Sequence, residues 1–323
     1  MKYLPASLSL DLDNKWSYLR TYGSSSWREY PSYLPSVVPT ILEFLRRHDL
    51  KITFFVVGRD VKSPKHTECI QSIAADNHDI ANHSFNHQPW LHLLSDEELD
   101  REIGSTEEAI FDVTGRETNG FRGPGYSISK THLNVLARRG YRYDASVFPN
   151  LLNPLSRAYL FAKSSLSREE KEQRKGLFGS FSDAMRPVEA FVWELSSDRL
   201  IEIPVTTMPF FRLPFHFSYI LYLSAYSKWL AILYFRFALN LCLRASTVPS
   251  LLLHPLDFLG GEDEPDISFF PGMNLTRSHK LDILSRCITE LTRGFRVLSM
   301  AAQIAEIENS GQDLRSFEPV FED

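Results

Sequence analysis

Short runs of apolar or β-branched residues alternate with longer stretches of helical period along most of this chain of 323 residues. Such alternation is typical of a parallel sheet whose strands are joined by crossover helices. The runs that predict strands span residues 8–12, 52–57, 79–82, 120–121, 141–144, 200–204 and 250–253. The pattern therefore predicts an α/β fold with a mostly parallel sheet.

The intervening stretches carry the start and stop signals of helices. Ser95 precedes a periodic segment with Glu98 three residues on, which predicts a capping box, and Gly140 follows another such segment. The predicted helices span residues 35–48, 66–76, 95–114, 129–139 and 277–293, followed by a strand-like run, FRVLSM, and a helix from residue 301. The length allows two domains, but a single α/β barrel also reaches this size.

Charge and cysteine content narrow the class of protein. The chain has 35 Lys and Arg against 40 Asp and Glu, a formal charge of −5, whereas nucleic-acid binding needs a basic excess or a concentrated basic face. Cys69, Cys242 and Cys287 form no CxxC pair and no disulfide pattern, and the first residues leave no room for the apolar stretch of a signal peptide. We therefore expect no nucleic-acid partner and a reducing, cytoplasmic location.

Two segments depart from the alternation. Residues 164–175 (SSLSREEKEQRK) carry mixed charge and predict a solvated helix or loop. Residues 203–256 contain no Asp or Glu, and their charges interrupt every apolar run before the roughly 18 residues that a membrane span needs. We favour a helical flap over a functional site; the alternative is that residues 210–245 lie peripherally against anionic lipid at the inner face of the membrane. The basic residues of this segment are Arg212, Lys228, Arg236 and Arg244.

Two histidines and two aspartates carry the first candidate chemistry. His83 and His87 lie four positions apart, which on a helical turn would let both rings share a metal ion. Asp11 and Asp13 alternate with leucines at the end of the first predicted strand, so both project to one face. Because adjacent carboxylates are costly unless a cation or an arginine neutralises them, this pattern indicates a charged partner at that strand end.

Three more polar residues lie at the ends of predicted strands. Arg122 precedes a rigid Gly/Pro loop, Asp144 ends one strand, and His254 follows the strand at 250–253. Each could be structural by itself. However, parallel barrels build their sites at the carboxyl ends of their strands, and these residues share that position with the aspartates and histidines above. The sequence thus predicts one site at that face.

The motifs around these residues resemble those of the polysaccharide deacetylases, also called the chitooligosaccharide deacetylase homology family. The resemblance covers roughly residues 8–258 and rests on LSLDLDN, NHSFNH, FRGPGY, YDASVFP and LLLHPLDF, in the order of the family. Each motif is weak alone, but five in register are specific. YDASVFP and the long aromatic insertion also resemble the branch associated with exopolysaccharide synthesis and lipid-linked sugars.

The resemblance implies a distorted parallel (β/α) barrel of about seven strands, formed by residues 1–323 as a single domain. An aromatic helical insertion over residues 205–249 would lie over the C-terminal face, and residues 277–323 would form a C-terminal helical tail. It also implies hydrolysis of an N-acyl group, acetyl or formyl, from an amino sugar or glycan. A catalytically dead carbohydrate-binding barrel and an amidohydrolase for a non-sugar amide or ureide are the alternatives.

The resemblance also assigns a metal site and a base. Asp13, His83 and His87 would hold a divalent metal ion, with zinc expected, and Asp11 would be the general base. Leu12 separates two aspartates that are adjacent in the common form of the first motif. The division of base and ligand between these two aspartates therefore stays open.

The remaining motifs would supply an acid and an oxyanion site. Arg122 would keep Asp11 ionised, and His254, braced by Asp144, would protonate the leaving amine. A backbone N–H of the loop after Pro124 would face the oxyanion. The expected substrate and oxyanion contacts are Gly125, Tyr126 and Leu253.

Overall fold

The computed structural model describes residues 3–175, 177, 181–195, 199–311 and 313–321. The strands formed by these residues are β1 (Leu4–Asp11), β2 (Thr53–Val56), β3 (Asp79–Asn82), β4 (Gly120–Phe121), β5 (Tyr143–Asp144), β6 (Phe191–Glu194), β7 (Arg199–Glu202), β8 (Ser250–Leu253), β9 (Phe295–Leu298) and β10 (Ser316–Phe317). The α-helices are α1 (Lys15–Thr21), α2 (Leu34–Arg47), α3 (Gly58–Val61), α4 (Thr67–Ala75), α5 (Asp96–Thr114), α6 (Lys130–Arg138), α7 (Asn153–Lys163), α8 (Arg168–Gln173), α9 (Phe181–Ala184), α10 (Phe217–Ser224), α11 (Lys228–Ala245), α12 (Arg277–Gly294) and α13 (Met300–Ser310).

The strands form one mostly parallel sheet in the order β10-β6-β7-β5-β4-β3-β2-β1-β8, with β9 also paired to β1. Leu10 of β1 lies opposite Phe54 of β2 and Leu253 of β8. Among the described ladders, β6 with β7 is the antiparallel pair. The prediction of an α/β fold with a mostly parallel sheet is confirmed, and eight of the strands lie where the sequence predicts them.

Irregular backbone, rather than a strand ladder, joins the β7 side of the sheet to β8. In the part of the chain that the structure describes, no strand ladder joins the β7 side of the sheet to β8. Instead, the Thr206 N–H donates to the Ser250 carbonyl and the Ser250 N–H donates to Thr206 Oγ1, both at 2.9 Å. Two hydrogen bonds therefore connect the edges across the gap, which is the distortion of this barrel-like sheet.

Side-chain alternation in β1 sets up the interior of the sheet. Leu8 and Leu10 pack in the main core under the surrounding helices, whereas Ser9 and Asp11 point the other way and are buried as well. A strand that is buried on both faces is expected in a sheet covered by helices. The polar face of β1 therefore delivers Asp11 to the inside of the sheet at the strand's carboxyl end.

The capping signals read from the sequence are confirmed. The Glu98 N–H donates to Ser95 Oγ at 3.3 Å, and the Glu98 carboxylate accepts from the Ser95 N–H at 2.9 Å, which completes the capping box of α5. Gly140, just past α6, has a φ of +80°, a backbone conformation that favours glycine. A second capping box, Ser167 with Glu170, starts α8, so the charged run at 164–175 contains a helix.

Several elements were not predicted from the sequence. β6 pairs antiparallel with β7 and parallel with β10, outside the strand-helix-strand rhythm that identified the other strands. Within the predicted tail at residues 277–323, β9 coincides with the strand-like run FRVLSM and pairs with β1, whereas β10, which pairs with β6, was not predicted. These short C-terminal strands extend the sheet next to the helices α12 and α13.

The aromatic segment at 205–249 contains α10 and α11. α11 buries one face, including Phe235 and Leu239, in the main core and leaves Trp229 and Phe237 exposed. No helix within the described ranges combines the length and apolar character needed to cross a bilayer. The segment therefore packs on the barrel as two amphipathic helices.

Two of the cations in this segment are paired with acids, although the segment itself contains no Asp or Glu. Lys228 lies 3.1 Å from Asp282, and Arg236 lies 2.7 Å from Glu290, with both acids supplied by α12. Arg212 donates to the carbonyls of residues 184 and 186. The segment lacks acids in its own sequence, but the fold brings them to it from the neighbouring helix.

Candidate active site

Asp11 and Arg122 form a buried ion pair at the carboxyl end of the sheet. Arg122 follows β4, is fully buried, and donates from Nη1 to Asp11 Oδ1 at 2.6 Å and to Ser9 Oγ at 2.9 Å. Its Nε donates to the Ala145 carbonyl at 2.9 Å, and its guanidinium lies 4.2 Å from the ring centre of Phe55. These contacts fix the guanidinium, which in turn orients the Asp11 carboxylate.

Asp13, His83 and His87 converge a short distance away. Asp13 Oδ1 lies 2.8 Å from His87 Nε2 and 3.3 Å from His83 Nε2. One ligand atom from each residue falls within 4.8 Å of the other two. The two aspartates of the first motif thus have different partners, because Asp11 contacts an arginine and Asp13 contacts two imidazoles.

The two imidazoles meet through a loop rather than a helical turn, which corrects the expectation drawn from their spacing. Residues 83–88 form no helix, and both Ser84 and His87 have left-handed backbones with φ of 59° and 50°. Such a conformation costs a non-glycine residue about 1–3 kcal/mol, so the surrounding structure must hold it in place.

Hydrogen bonds within the loop and from neighbouring elements supply that support. The Asn82 side chain accepts from the Ser84 N–H at 2.8 Å, and Ser84 Oγ accepts from the His87 N–H at 3.1 Å. Glu102 of α5 accepts from the N–H groups of Phe85 and Asn86 at 3.1 and 2.8 Å. Glu102 is therefore a positioning residue for this site that the sequence did not identify.

The hydrogen bonds of the cluster fit a metal ion. His83 Nδ1 lies 2.6 Å from the Arg122 carbonyl, which places the proton of the neutral ring on Nδ1 and leaves Nε2 free to ligate. Asp13 Oδ1 and His87 Nε2 are buried without a hydrogen-bond partner among the described atoms. Buried acceptors that face one another without donors are costly unless a cation lies between them.

Protonation states in the cluster follow from burial and mutual charge. Burial acts to raise the pKa of Asp13, but His87 and His83 hold it well below its usual range. Burial acts to lower the pKa of His83, yet the carboxylates of Asp11 and Asp13 raise it overall. For His87 burial dominates and lowers the pKa. The cluster therefore combines a carboxylate with one imidazole whose pKa is raised, His83, and one whose pKa is lowered, His87.

His254 is braced by Ser218 and Asp257. The Ser218 hydroxyl donates to Asp257 Oδ1 at 2.9 Å and lies 3.2 Å from His254 Nδ1, so Nδ1–H is the donor in that contact. Asp257 Oδ2 accepts from the backbone N–H of His254 at 2.8 Å. This network leaves Nε2 as the ring atom available for chemistry, and it uses a residue of α10, part of the aromatic segment.

The structure does not bring Asp144 to His254, and the expected brace is therefore wrong. Asp144 Oδ1 accepts from Ser146 Oγ at 2.7 Å, and its neighbour is Glu202. Burial and the charge of Asp144 raise the pKa of Glu202 well above its usual range. The carboxylate that contacts His254 belongs to Asp257, three residues later in the short turn Pro255–Phe258. Asp144 instead forms a buried pair of acids with Glu202.

One cavity of about 410 Å³ connects these groups. Its border includes both aspartates, both cluster imidazoles and His254, together with the loop residues Gly125 and Tyr126. The Tyr126 N–H donates to the Gly123 carbonyl at 3.0 Å within its own turn. An oxyanion contact to this loop stays a prediction.

Leu253 does not border this cavity, contrary to expectation. Its side chain is fully buried in the main core with Leu10 and Leu251. Alternation along β8 explains the result, because Leu252, one position earlier, points inward and packs with Phe148 behind Tyr126.

His216 borders the cavity although the sequence analysis did not single it out. It is buried just before α10, and its ring centre lies 6.1 Å from that of His254. Burial, with smaller contributions from the charges of His254 and Arg122, lowers its pKa well below the usual value, so the ring is neutral. Its position in an irregular loop carries no signal that sequence periodicity could detect.

Comparisons with known proteins agree with the motifs. The sequence profile named polysaccharide deacetylase matches residues 25–143. Over 176 residues the chain is 28% identical to a chitooligosaccharide deacetylase of Azorhizobium caulinodans, covering 51% of this chain and 76% of the relative. Over 111 residues it is 32% identical to a peptidoglycan-N-acetylmuramic acid deacetylase of Bacillus subtilis, covering 34% of this chain and 41% of that one.

A solved structure extends the likeness of fold over nearly the whole chain. A protein from Mycobacterium smegmatis assigned to the polysaccharide deacetylases superposes with a TM-score of 0.63 at 18% identity, covering 98% of this chain and 94% of that chain. At this identity the likeness concerns the fold, which agrees with the mostly parallel α/β architecture described above.

Proposed function

Because this chain belongs to the polysaccharide deacetylase family, we propose that it is a metal-dependent hydrolase that removes an N-acyl group, acetyl or formyl, from an amino sugar. The observation that carries the proposal is the arrangement around one cavity. An arginine-paired carboxylate, a cluster of one carboxylate and two imidazoles, and a braced histidine all border it. A base, a metal site and an acid are the three parts that amide hydrolysis by water requires.

Asp13, His83 and His87 would hold the ion. Two imidazoles and one carboxylate are a donor set that suits zinc and leaves positions open, so zinc is our proposal for the metal. When bound, such an ion supplies Lewis-acid polarisation of the acyl carbonyl and lowers the pKa of water. The Arg122 carbonyl, through His83 Nδ1, keeps one of the ligating rings in the required tautomer.

Asp11 would take a proton from the attacking water. It is buried beside the cluster but contacts Arg122 rather than the imidazoles, and this contact fixes the orientation of its carboxylate. His254 would give a proton to the departing nitrogen from Nε2. The Ser218–Asp257 network holds its Nδ1–H in place, and an amine leaves readily only when it is protonated.

Release of acetate from N-acetylglucosamine oligomers by metal-loaded protein tests the proposal. We expect acetate and a free amine to appear in equal amounts, and their rate of release to fall on the order of 10²- to 10⁴-fold with Asp11→Asn. A catalytically dead carbohydrate-binding barrel would bind the oligomers without releasing acetate, and activity restricted to ureides would identify the non-sugar amidohydrolase.

The pH dependence of kcat/KM should be bell-shaped, with an acid limb from the base and an alkaline limb from His254. His254→Ala should remove the alkaline limb and reduce the rate on the order of 10²- to 10⁴-fold. Ser218→Ala should lower kcat/KM, because the His254 ring loses the hydroxyl contact that orients it.

Ser218→Thr is the matched control, since it keeps the hydroxyl and should retain the wild-type kcat/KM. An unchanged profile in His254→Ala would show that this histidine is structural.

We also propose that the exposed apolar side chains of α10 and α11 rest on the inner face of a membrane, which would place the protein in the cytoplasm as a peripheral protein. Tyr226, in the turn between the two helices, and Trp229, in the first turn of α11, are 75% and 74% exposed. Aromatic side chains settle at the bilayer interface. Because α12 pairs two of the cations, attraction to anionic headgroups contributes less than the sequence indicates.

Vesicle sedimentation tests this contact. We expect wild-type protein to sediment with neutral phosphatidylcholine vesicles, and Tyr226→Ser/Trp229→Ser to remain in the supernatant. Lys228→Gln/Arg236→Gln should sediment like wild type, since these cations are already paired. Failure of wild-type protein to sediment with either neutral or anionic vesicles at low salt would contradict the proposal.

A further inference from the structure

The part of the cavity beyond the catalytic groups has an aliphatic wall. Four leucines border it, and they are joined by Phe270 and Pro271. Aromatic rings can stack on a sugar, but leucine side chains offer neither a flat face nor a hydrogen bond. The leucines are Leu152, Leu155, Leu160 and Leu177.

Two helices supply opposite sides of this part of the cavity. Leu155 and Tyr159 lie four residues apart on α7 and therefore share one helical face. Tyr219 and Tyr222 border the cavity from α10. A contact of 3.0 Å between Ser156 Oγ and Tyr219 Oη joins the two helices. The walls are thus held at a fixed separation, which preforms the space between them.

Charged groups are confined to the catalytic end. Among the described residues, the border of the cavity contains no Lys, Arg or Glu, and its carboxylates are Asp11 and Asp13 alone. A phosphate would lose its water there without finding a cationic partner, and that loss is costly. The far part of the cavity therefore suits an apolar group better than a phosphate.

The apolar lining continues to the surface. Leu155 is 67% exposed and Tyr222 is 43% exposed, although both also border the cavity. Tyr226 stands one turn beyond Tyr222, with the two ring centres 5.6 Å apart. A flexible chain could therefore extend from the catalytic groups between α7 and α10 and leave the protein over exposed apolar side chains.

We propose that the substrate carries a hydrocarbon chain that lies between α7 and α10 while its N-acyl sugar lies at the aspartates and histidines. This inference rests on the proposed function and adds the class of substrate. The chain can belong to the N-acyl group itself or to another position of the sugar. Both sources share the chemistry that the cavity selects, a linear apolar group next to the amide.

Calorimetric binding to metal-free protein tests the inference without relying on turnover. One series lengthens the glycosidic chain of N-acetylglucosamine from methyl to butyl to octyl, and the other lengthens the N-acyl chain of methyl glucosaminide over the same steps. Full burial of a methylene contributes about fourfold in affinity. We expect one series to gain on the order of a hundredfold, and the series that gains identifies the position of the chain.

Leu155→Glu places a charge at the exposed mouth and should abolish the gain with chain length. Leu93→Glu is the matched control, because Leu93 is 58% exposed and does not border the cavity. Equal affinity along both series would overturn the inference, even if N-acetyl sugars are hydrolysed. A gain that survives in Leu155→Glu would place the chain elsewhere and also overturn it. A gain lost in that variant alone supports the inference even if no sugar is hydrolysed, an outcome that would reject only the proposed function.

Discussion

Replacing His83 and His87 together with alanine is expected to remove the bound metal and to lower kcat/KM for an N-acetyl amino sugar about 10³-fold or more. Metal polarisation of an acyl group is worth several kcal/mol of transition-state stabilisation, and each 1.36 kcal/mol is tenfold in rate. Asp13 would then be the one remaining side-chain ligand of the cluster. Elemental analysis of protein purified without added metal, together with initial rates, measures both effects.

His48→Ala is the control for loss of a histidine, since His48 lies at the end of α2 and does not border the cavity. It should keep wild-type metal content and activity. Equal metal content in the double variant and the wild type would show that His83 and His87 do not hold the metal.

The same site should lose metal as the pH falls. Burial lowers the proton affinity of His83, but the neighbouring carboxylates more than offset this and raise its pKa overall. A proton on Nε2 excludes a metal ion, so affinity decreases once the pH drops through this raised value. Because the pKa of His83 is raised, metal binding should return as the pH rises above that value.

Asp11→Asn and Asp13→Asn should separate the two aspartates. Asp11→Asn is expected to keep the metal and to reduce turnover on the order of 10²- to 10⁴-fold, because the base is lost. Asp13→Asn is expected to reduce both metal content and turnover. The reason is geometric: Asp11 Oδ1 lies 2.6 Å from Arg122 Nη1, whereas Asp13 Oδ1 lies between the two imidazole Nε2 atoms.

Metal content and rate are measured on the same preparations, so that loss of folded protein is separated from loss of function. Asp49→Asn, an exposed position on the loop after α2, is the control. The reverse pattern, in which Asp11→Asn loses the metal and Asp13→Asn keeps it, would exchange the roles while leaving the family assignment in place.

The sequence predicted the strands that carry the site because their residues obey a simple rule. Leu8 and Leu10 alternate with Ser9 and Asp11, and the structure buries the leucines in one layer and the polar residues in the other. Leu12 continues this alternation past the end of β1, which is why Asp11 and Asp13 reach the same side. Period and strand-end position are local properties, so a single sequence reveals them.

Contacts between distant segments could not be predicted in the same way. Ser218 reaches His254 only because α10 docks beside β8, and Glu102 reaches the histidine loop only because α5 packs next to it. Asp144 illustrates the converse error, since a position at a strand end does not say which carboxylate meets which histidine. Such pairings depend on packing angles that local periodicity does not encode.

The most direct test of the account is an anomalous difference map recorded at the zinc absorption edge from crystals of the protein grown with zinc. The account predicts a peak within bonding distance of Asp13 Oδ1, His83 Nε2 and His87 Nε2, with the His254 ring facing it across the cavity. A zinc-loaded crystal whose peaks lie only at other positions, leaving these three atoms without a metal, would contradict it.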